Sequence, residues 1–452
     1  MSSERAVPPA STFTEVLNRT PMRPAQWLML AVCMLVLVCD GIDLQLLGIV
    51  APLVMESFDV DRATFGVAMS AALIGFGLGS WGGGWLGDRV GRRYTLALAA
   101  LVFSLATIGA GTAGIVMEMA LWRVAGGLGF GAAYSNALAM ASEWLPERWR
   151  PVAVSTLSVG TPIGGTVVGW IGPDMAVAYG WDGAFVRIGL ATLIMTLVIL
   201  AVLRDSPSFL LARGKQEAAQ RNARIVLDHD VVLLPERHDG DSIDGVQIGV
   251  LHPSNKRLNI GIGLAFAAAA LVAYAILSWS TTFLTAKGFT LQAAGDAVAV
   301  AGITSMIGSV LAGIAVRRFG SRVVMLTLSA VLVVVLVALG WAVETLPAVP
   351  SASDYLLVTT LIGAAGAFFS ASIAAMYVMM ALGYPQSCRS AGIGFGIFMS
   401  RVGAIGATGF GGALLQAGGT STIPFFAVLI VAAVLISAAA FVVDRHVPAL
   451  AR

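Results

Sequence analysis

Four charged residues stand where charge is least expected. Asp40-Gly41-Ile42-Asp43 falls inside an apolar run from Trp27 to about Pro52, and Arg123 and Arg401 lie inside two further apolar runs. Hydrocarbon does not solvate charge, so intramembrane ionisable groups are read first as functional. Positions i and i+3 share a helix face, so both carboxylates are expected to point the same way. Gly41 between them is expected to loosen the helix locally. Apolar surroundings favour the neutral carboxyl, a nearby arginine favours the ionised one, and two close acids resist ionising together. A group set between these influences can take up and release a proton. Arg123 shares its half of the chain with the acids and is expected to couple with them.

The elements that must position these residues follow from composition. The chain has 452 residues, 58% hydrophobic and 12% charged, with mean hydropathy +0.86. Soluble domains carry about one quarter charged residues, so this is an all-α polytopic membrane protein. Apolar runs long enough to span occur at roughly 27–52, 64–86, 94–114, 117–142, 152–177, 183–203, 258–286, 291–316, 322–344, 355–381, 390–417 and 422–443. They predict twelve transmembrane helices in two pseudo-symmetric six-helix bundles. The expected organisation is a cytoplasmic tail 1–26, a first bundle 27–203, a cytoplasmic middle loop 204–257, a second bundle 258–443 and a cytoplasmic tail 444–452. With both termini inside, Lys and Arg avoid the outer side except at Arg62, Arg187 and Lys287. The first polar segment precedes a full-length apolar helix and reads as a tail rather than a signal peptide.

A rise of about 1.5 Å per residue places Asp40, Arg123 and Arg401 at similar depths, near the middle of an apolar core about 30 Å thick. Transporters place their substrates there. All four histidines, His229, His238, His252 and His446, fall outside the spans. Cys33, Cys39 and Cys388 have neither disulfide nor zinc spacing. The acidic stretch 239–244 lacks the glycine and glutamate of a calcium loop and reads as linker. Neither metal nor cofactor is expected. A net charge of +2 gives no reason to expect nucleic acid. The glycines at 75, 77, 79 and 82–84 lie inside a span with no preceding strand, so they read as close helix packing rather than a nucleotide loop. Segment 206–220 is expected to form an interfacial helix, with Phe209, Leu210 and Leu211 against the membrane.

The stretch Gly83–Arg93, GGWLGDRVGRR, resembles the helix 2–3 signature of the major facilitator superfamily, with a weaker copy at Gly313–Arg322. Asp40–Asp43 is similar to the helix 1 motif of the aromatic acid:proton symporter family. Arg123–Gly131 with Asn136, Ser142–Arg148, and Tyr384–Arg389 leading into Ser400–Gly403 carry the same resemblance. It implies a major facilitator fold and uptake of a hydroxybenzoate-like aromatic carboxylate. Inward proton flow across a bacterial inner membrane would drive it, with a monomer in lipid as the working unit.

On that reading Asp40, Asp43 and Arg123 couple the proton, and Arg401 is expected to hold the substrate carboxylate. Tyr134 and Asn136 are expected to hydrogen-bond a ring hydroxyl, and Trp279, Tyr377 and Phe398 to wall the ring. Asp88, Arg89, Arg92, Glu143 and Arg148 are expected to form an inner gate, with Asp88 near the start of helix 11. Arg317 replaces the acid in the second copy, so no matching gate is expected there. The competing readings are a porter of sugar or another organic acid, and a drug:proton antiporter. No nucleophile triad, metal cluster or nucleotide loop supports an enzyme.

Overall fold

A backbone in hydrocarbon must satisfy its polar groups within its own segment, and the apolar runs do this as long helices. The computed structural model describes residues 10–150, 153, 156–157, 159–226, 232–234, 250–384 and 388–448. Its helices are α1 (Phe13–Arg19), α2 (Pro24–Phe58), α3 (Arg62–Val90), α4 (Arg92–Gly111), α5 (Val116–Trp144) and α6 (Gly160–Val202). Two short helices follow, α7 (Pro207–Ala212) and α8 (Gln216–Ala223). The second half holds α9 (Lys256–Ala286), α10 (Leu291–Phe319), α11 (Ser321–Glu344), α12 (Ala352–Gly383), α13 (Arg389–Gly418) and α14 (Ile423–Val442). Ten helices are long and apolar enough to cross a membrane. The 29-residue α5 adds another passage, and the 43-residue α6 makes two. The expected spans 152–177 and 183–203 are thus one helix with a break at Gly180 (φ 74°). The chain reverses there: Gly164 lies against Val38 on the way out, and Gly189 against Ile108 on the way back.

The halves share one plan. In the first, α3 packs on α5 and α2 on α6; in the second, α10 packs on α12 and α9 on α13. Across the middle, α3 meets α13, α6 meets α10 and α2 meets α9. Small residues allow the closest approaches. A Cβ at Gly75, Gly79 or Gly83 would lie 2.1–2.3 Å from α5 atoms, whereas Gly77, Gly82 and Gly84 face open space. The spacing of four, not the denser glycine run, therefore makes the contact.

The tail and middle loop have more structure than expected. Ala10–Thr12 (β1) pairs in parallel with Val232–Leu234 (β2), Ala10 opposite Val232 and Thr12 opposite Leu234. α1 follows, with Phe13 edge-on to Trp144 at 5.6 Å. Leu210 of the expected interfacial helix is buried in the protein rather than turned outward. The acidic stretch 239–244, His229 and His238 lie outside the described residues.

One face of the molecule, the loop face, carries both tails and the middle loop. On the opposite, far face the halves are clamped. Gln416 Nε2 donates to Asp61 at 3.1 Å, Ala63 N donates to Gln416 Oε1 at 3.1 Å, and Arg62 donates to the Leu415 carbonyl at 3.4 Å. Nearer the middle, Thr281 donates to the Gly48 carbonyl and Thr166 to that of Ala299. Among the described residues no hydrogen bond joins the halves at the loop face. A Cβ at Gly412 would sit 1.9 Å from the Arg62 carbonyl oxygen. Gly412→Val should therefore open the far-face clamp. Overpacking costs about 1–3 kcal/mol, a bias of roughly five- to hundredfold against the clamped state. A cysteine at Ser70, in a chain with Cys33, Cys39 and Cys388 replaced by alanine, should then react faster with a water-soluble maleimide. Unchanged labelling would show that the clamp does not depend on this contact.

Candidate functional site

The clamp closes one end of a cavity of about 250 Å³ between the halves. α2, α3, α5 and α6 line it from the first half, and α9, α10, α12 and α13 from the second. Phe76, Phe130 and Phe369 give it aromatic wall. Four groups gather at one end: Asp40 and Arg401 with Tyr274 and Tyr377. Tyr134 joins them as an electrostatic neighbour of Arg401.

Arg401 enters this cavity from α13. Its guanidinium stacks on Phe76 at 3.9 Å from the ring centre, and one Nη donates to the Tyr274 hydroxyl at 2.8 Å. Its buried Nε has no hydrogen-bond partner, and among the described residues no carboxylate lies within 4.0 Å of it. The guanidinium thus keeps part of its fork unused. Tyr274 carries no motif, and its signal was only a polar ring inside an alanine-rich span.

The two aspartates part company. Asp43, 1% exposed, forms a buried ion pair with Arg123, 4% exposed, and also accepts from Thr107 Oγ1 at 2.9 Å. Asp40 lines the cavity, where Thr161 Oγ1 donates to it at 3.2 Å. Among the described residues no cation lies within ion-pairing distance of Asp40. The expectation that both acids point the same way is corrected. Three residues leave a helical offset of about 60°, enough to send one carboxylate into the bundle and the other into the cavity. Gly41 also has a more specific use than loosening the helix. A Cβ there would sit 2.1 Å from the Thr161 carbonyl, so the glycine lets α2 lie directly on α6.

Among the residues expected at a ring, the structure places Tyr134 and Tyr377 at the cavity, but not Asn136, Trp279 or Phe398. The Asn136 amide, fully buried, donates to the carbonyls of Gly83 and Ala132 at 2.8 Å each and holds α5 to α3. Trp279, also fully buried, packs on Gly411 and Gly412 beside the far-face clamp. Phe398 is 64% exposed on the surface of α13.

At the loop face Arg92 bridges Asp88 at 2.5 Å and Glu143 at 3.0 Å. Arg89 stacks on Trp85 at 4.0 Å, and Arg148 donates to the Thr20 carbonyl at 3.2 Å, so these two stand apart from the bridge. Asp88 is 66% exposed and, among the described residues, makes no hydrogen bond or ion pair with α13. The start of α4 is capped from elsewhere: Asp205 accepts from Arg93 N at 3.0 Å, across Gly91 (φ 111°). Burial raises the Asp205 carboxyl above its usual range, against the pull of the Arg93 N–H and guanidinium. At the matching place in the second half, Ser321 N donates to the Val447 carbonyl after Gly320 (φ 81°). Arg317, where the second copy departs from the first, makes no ion pair among the described residues.

The family model of the Major Facilitator Superfamily matches residues 33–346. The chain is 27% identical to the 4-hydroxybenzoate transporter PcaK of Pseudomonas aeruginosa, covering 89% of each. It is 27% identical to a gallate transporter of Pseudomonas putida, covering 89% of this chain and 88% of that one. The 3-(3-hydroxy-phenyl)propionate transporter of Escherichia coli is 26% identical, covering 89% of this chain and 90% of that one. The partially occluded inward-open xylose transporter XylE from E. coli superposes with a TM-score of 0.71 at 17% identity, covering 94% of this chain and 99% of that one. A bacterial homologue of the human lysosomal transporter Spinster, inward-facing and unoccupied, gives 0.71 at 16% identity, covering 93% and 97%. Helix plan, two-halved cavity and sequence match agree: this chain is a multi-pass membrane transporter, not an enzyme, and belongs to the major facilitator superfamily.

Proposed function

We propose that this protein imports an aromatic carboxylate together with a proton, by alternating access across the bacterial inner membrane, with both termini and the middle loop in the cytoplasm. The observation that carries the reading is Arg401. It is a guanidinium with fork to spare, in a cavity walled by phenylalanines, with no carboxylate among the described residues at ion-pair distance. An aromatic acid supplies what is missing: a forked anion for the fork and a flat apolar ring for the walls. The relatives named for 4-hydroxybenzoate, gallate and hydroxyphenylpropionate transport support the same substrate class.

The proton falls to Asp40. Its carboxylate lines the cavity, and among the described residues no cation lies within 4.0 Å of it; Arg401 stands near but unpaired, left for the substrate anion, so a proton can neutralise Asp40. Asp43 and Arg123 already neutralise each other and hold α2 to α5. The far face is clamped and, among the described residues, no hydrogen bond joins the halves at the loop face, which supports a state facing the cytoplasm on this orientation. To face outward, Asp88 and Arg92 would have to engage the start of α13 while the Asp61–Gln416 clamp parts. A cationic drug fits poorly beside Arg401, which disfavours a drug:proton antiporter.

The test is uptake into proteoliposomes across a panel of aromatic acids, sugars and aliphatic acids. A panel without aromatic-acid uptake, or export of cationic dyes, would overturn the reading. Asp40→Asn should abolish accumulation driven by a proton gradient while leaving substrate exchange intact. Asp43→Asn should also lose transport, and in addition lose stability by about 3–5 kcal/mol, because it leaves Arg123 buried and unpaired. Thermal unfolding in detergent separates the two variants. Arg401→Lys keeps the charge but loses the fork, and should weaken carboxylate binding roughly ten- to hundredfold. Unchanged binding would overturn the assignment of the carboxylate to Arg401.

A further inference from the structure

Gln45 lines the cavity five residues beyond Asp40 on α2, about 7.5 Å further toward the far face by helical rise. Its side chain is 7% exposed. A buried amide normally finds partners, as Asn136 Nδ2 does. Among the described residues the Gln45 amide has none: it faces the cavity with two donors and an acceptor unused. Other polar groups nearby are committed. The Thr161 hydroxyl donates to Asp40, and that of Ser305 donates to the Gly366 carbonyl at 3.1 Å. Room for the amide comes from α6. A Cβ at Gly165 would lie 3.1 Å from Gln45 Cγ and 3.6 Å from Nε2.

We propose that Gln45 sets substrate specificity by hydrogen-bonding a hydroxyl on the ring, at the end remote from the carboxylate. This rests on Arg401 holding that carboxylate. The two groups then read opposite ends of one molecule. Arg401 and its tyrosines take the anion, and Gln45, about 7.5 Å along α2 from Asp40, which stands at the Arg401 end of the cavity, takes a phenolic O–H. The Gln45 carbonyl accepts a hydrogen bond from that O–H, and its NH₂ can donate to the same oxygen. The preferred substrate is therefore a hydroxylated aromatic acid, and the unsubstituted acid is the poorer one, since it cannot make this hydrogen bond.

Uptake of benzoate, 4-hydroxybenzoate and 3,4-dihydroxybenzoate by the full-length chain tests this, in wild type, Gln45→Leu and Gln45→Met. Wild type should prefer the hydroxylated acids by roughly tenfold or more in kcat/KM. Both variants should lose that preference through a raised KM for the hydroxylated acids, with benzoate uptake within about twofold of wild type. Retained benzoate uptake also shows that the variants fold. Two apolar replacements keep the test standing if one misfolds. An equal loss for all three acids would make Gln45 a packing residue and overturn the proposal. A wild-type preference that survives both replacements would overturn it as well. No uptake of any of these acids by wild type would instead overturn the reading of Arg401, and this proposal with it.

Discussion

Charge buried in an apolar slab has to be answered inside the protein, because nothing outside solvates it. That constraint organises the middle of this molecule. Asp43 and Arg123 neutralise each other in an ion pair, with Thr107 donating to the same carboxylate, although the buried Arg123 Nε has no hydrogen-bond partner. Such a pair is fixed, since breaking it would strand a charge. Arg401 is answered only in part, by the face of Phe76 and the Tyr274 hydroxyl. Asp40 has one hydroxyl from Thr161. The partly answered groups, Asp40 and Arg401, are the ones that line the cavity.

The two halves reach this arrangement unequally from one plan. Both present glycine at the turn into their third helix, Gly91 and Gly320, because the backbone there is left-handed. The first half closes that turn with a carboxylate, Asp205, and the second with a backbone carbonyl, Val447. Asp40 lies in the first half and Arg401 in the second, so one plan carries opposite charges on the two sides of the cavity.

Much of this was legible in the residues. The apolar runs located the helices, since spanning length is set by the bilayer. The four deep charges announced themselves by their cost. Which way they point was not legible. Helices apolar on every side carry no amphipathic signal, so Asn136, Trp279 and Phe398 looked as eligible for the cavity as Tyr134 and Tyr377. Only packing shows that Asn136 spends its amide on α3 and that Phe398 faces outward. The offset between Asp40 and Asp43 is helical geometry, but its consequence depends on which neighbours stand on either side. Gln45 gave no signal, because a glutamine in a span reads equally well as packing or as site.

The small parallel pair between Ala10–Thr12 and Val232–Leu234 bears on how the chain is made. β1 emerges near the start of synthesis, and its partner strand only after the whole first bundle. Until then Phe13 and Leu17 have their docking surface at Trp144, but the strand before them has nothing to pair with. Completion of the loop face of the first bundle is therefore timed by the middle loop. The tail acts as a stitch that closes only when the chain is about half made.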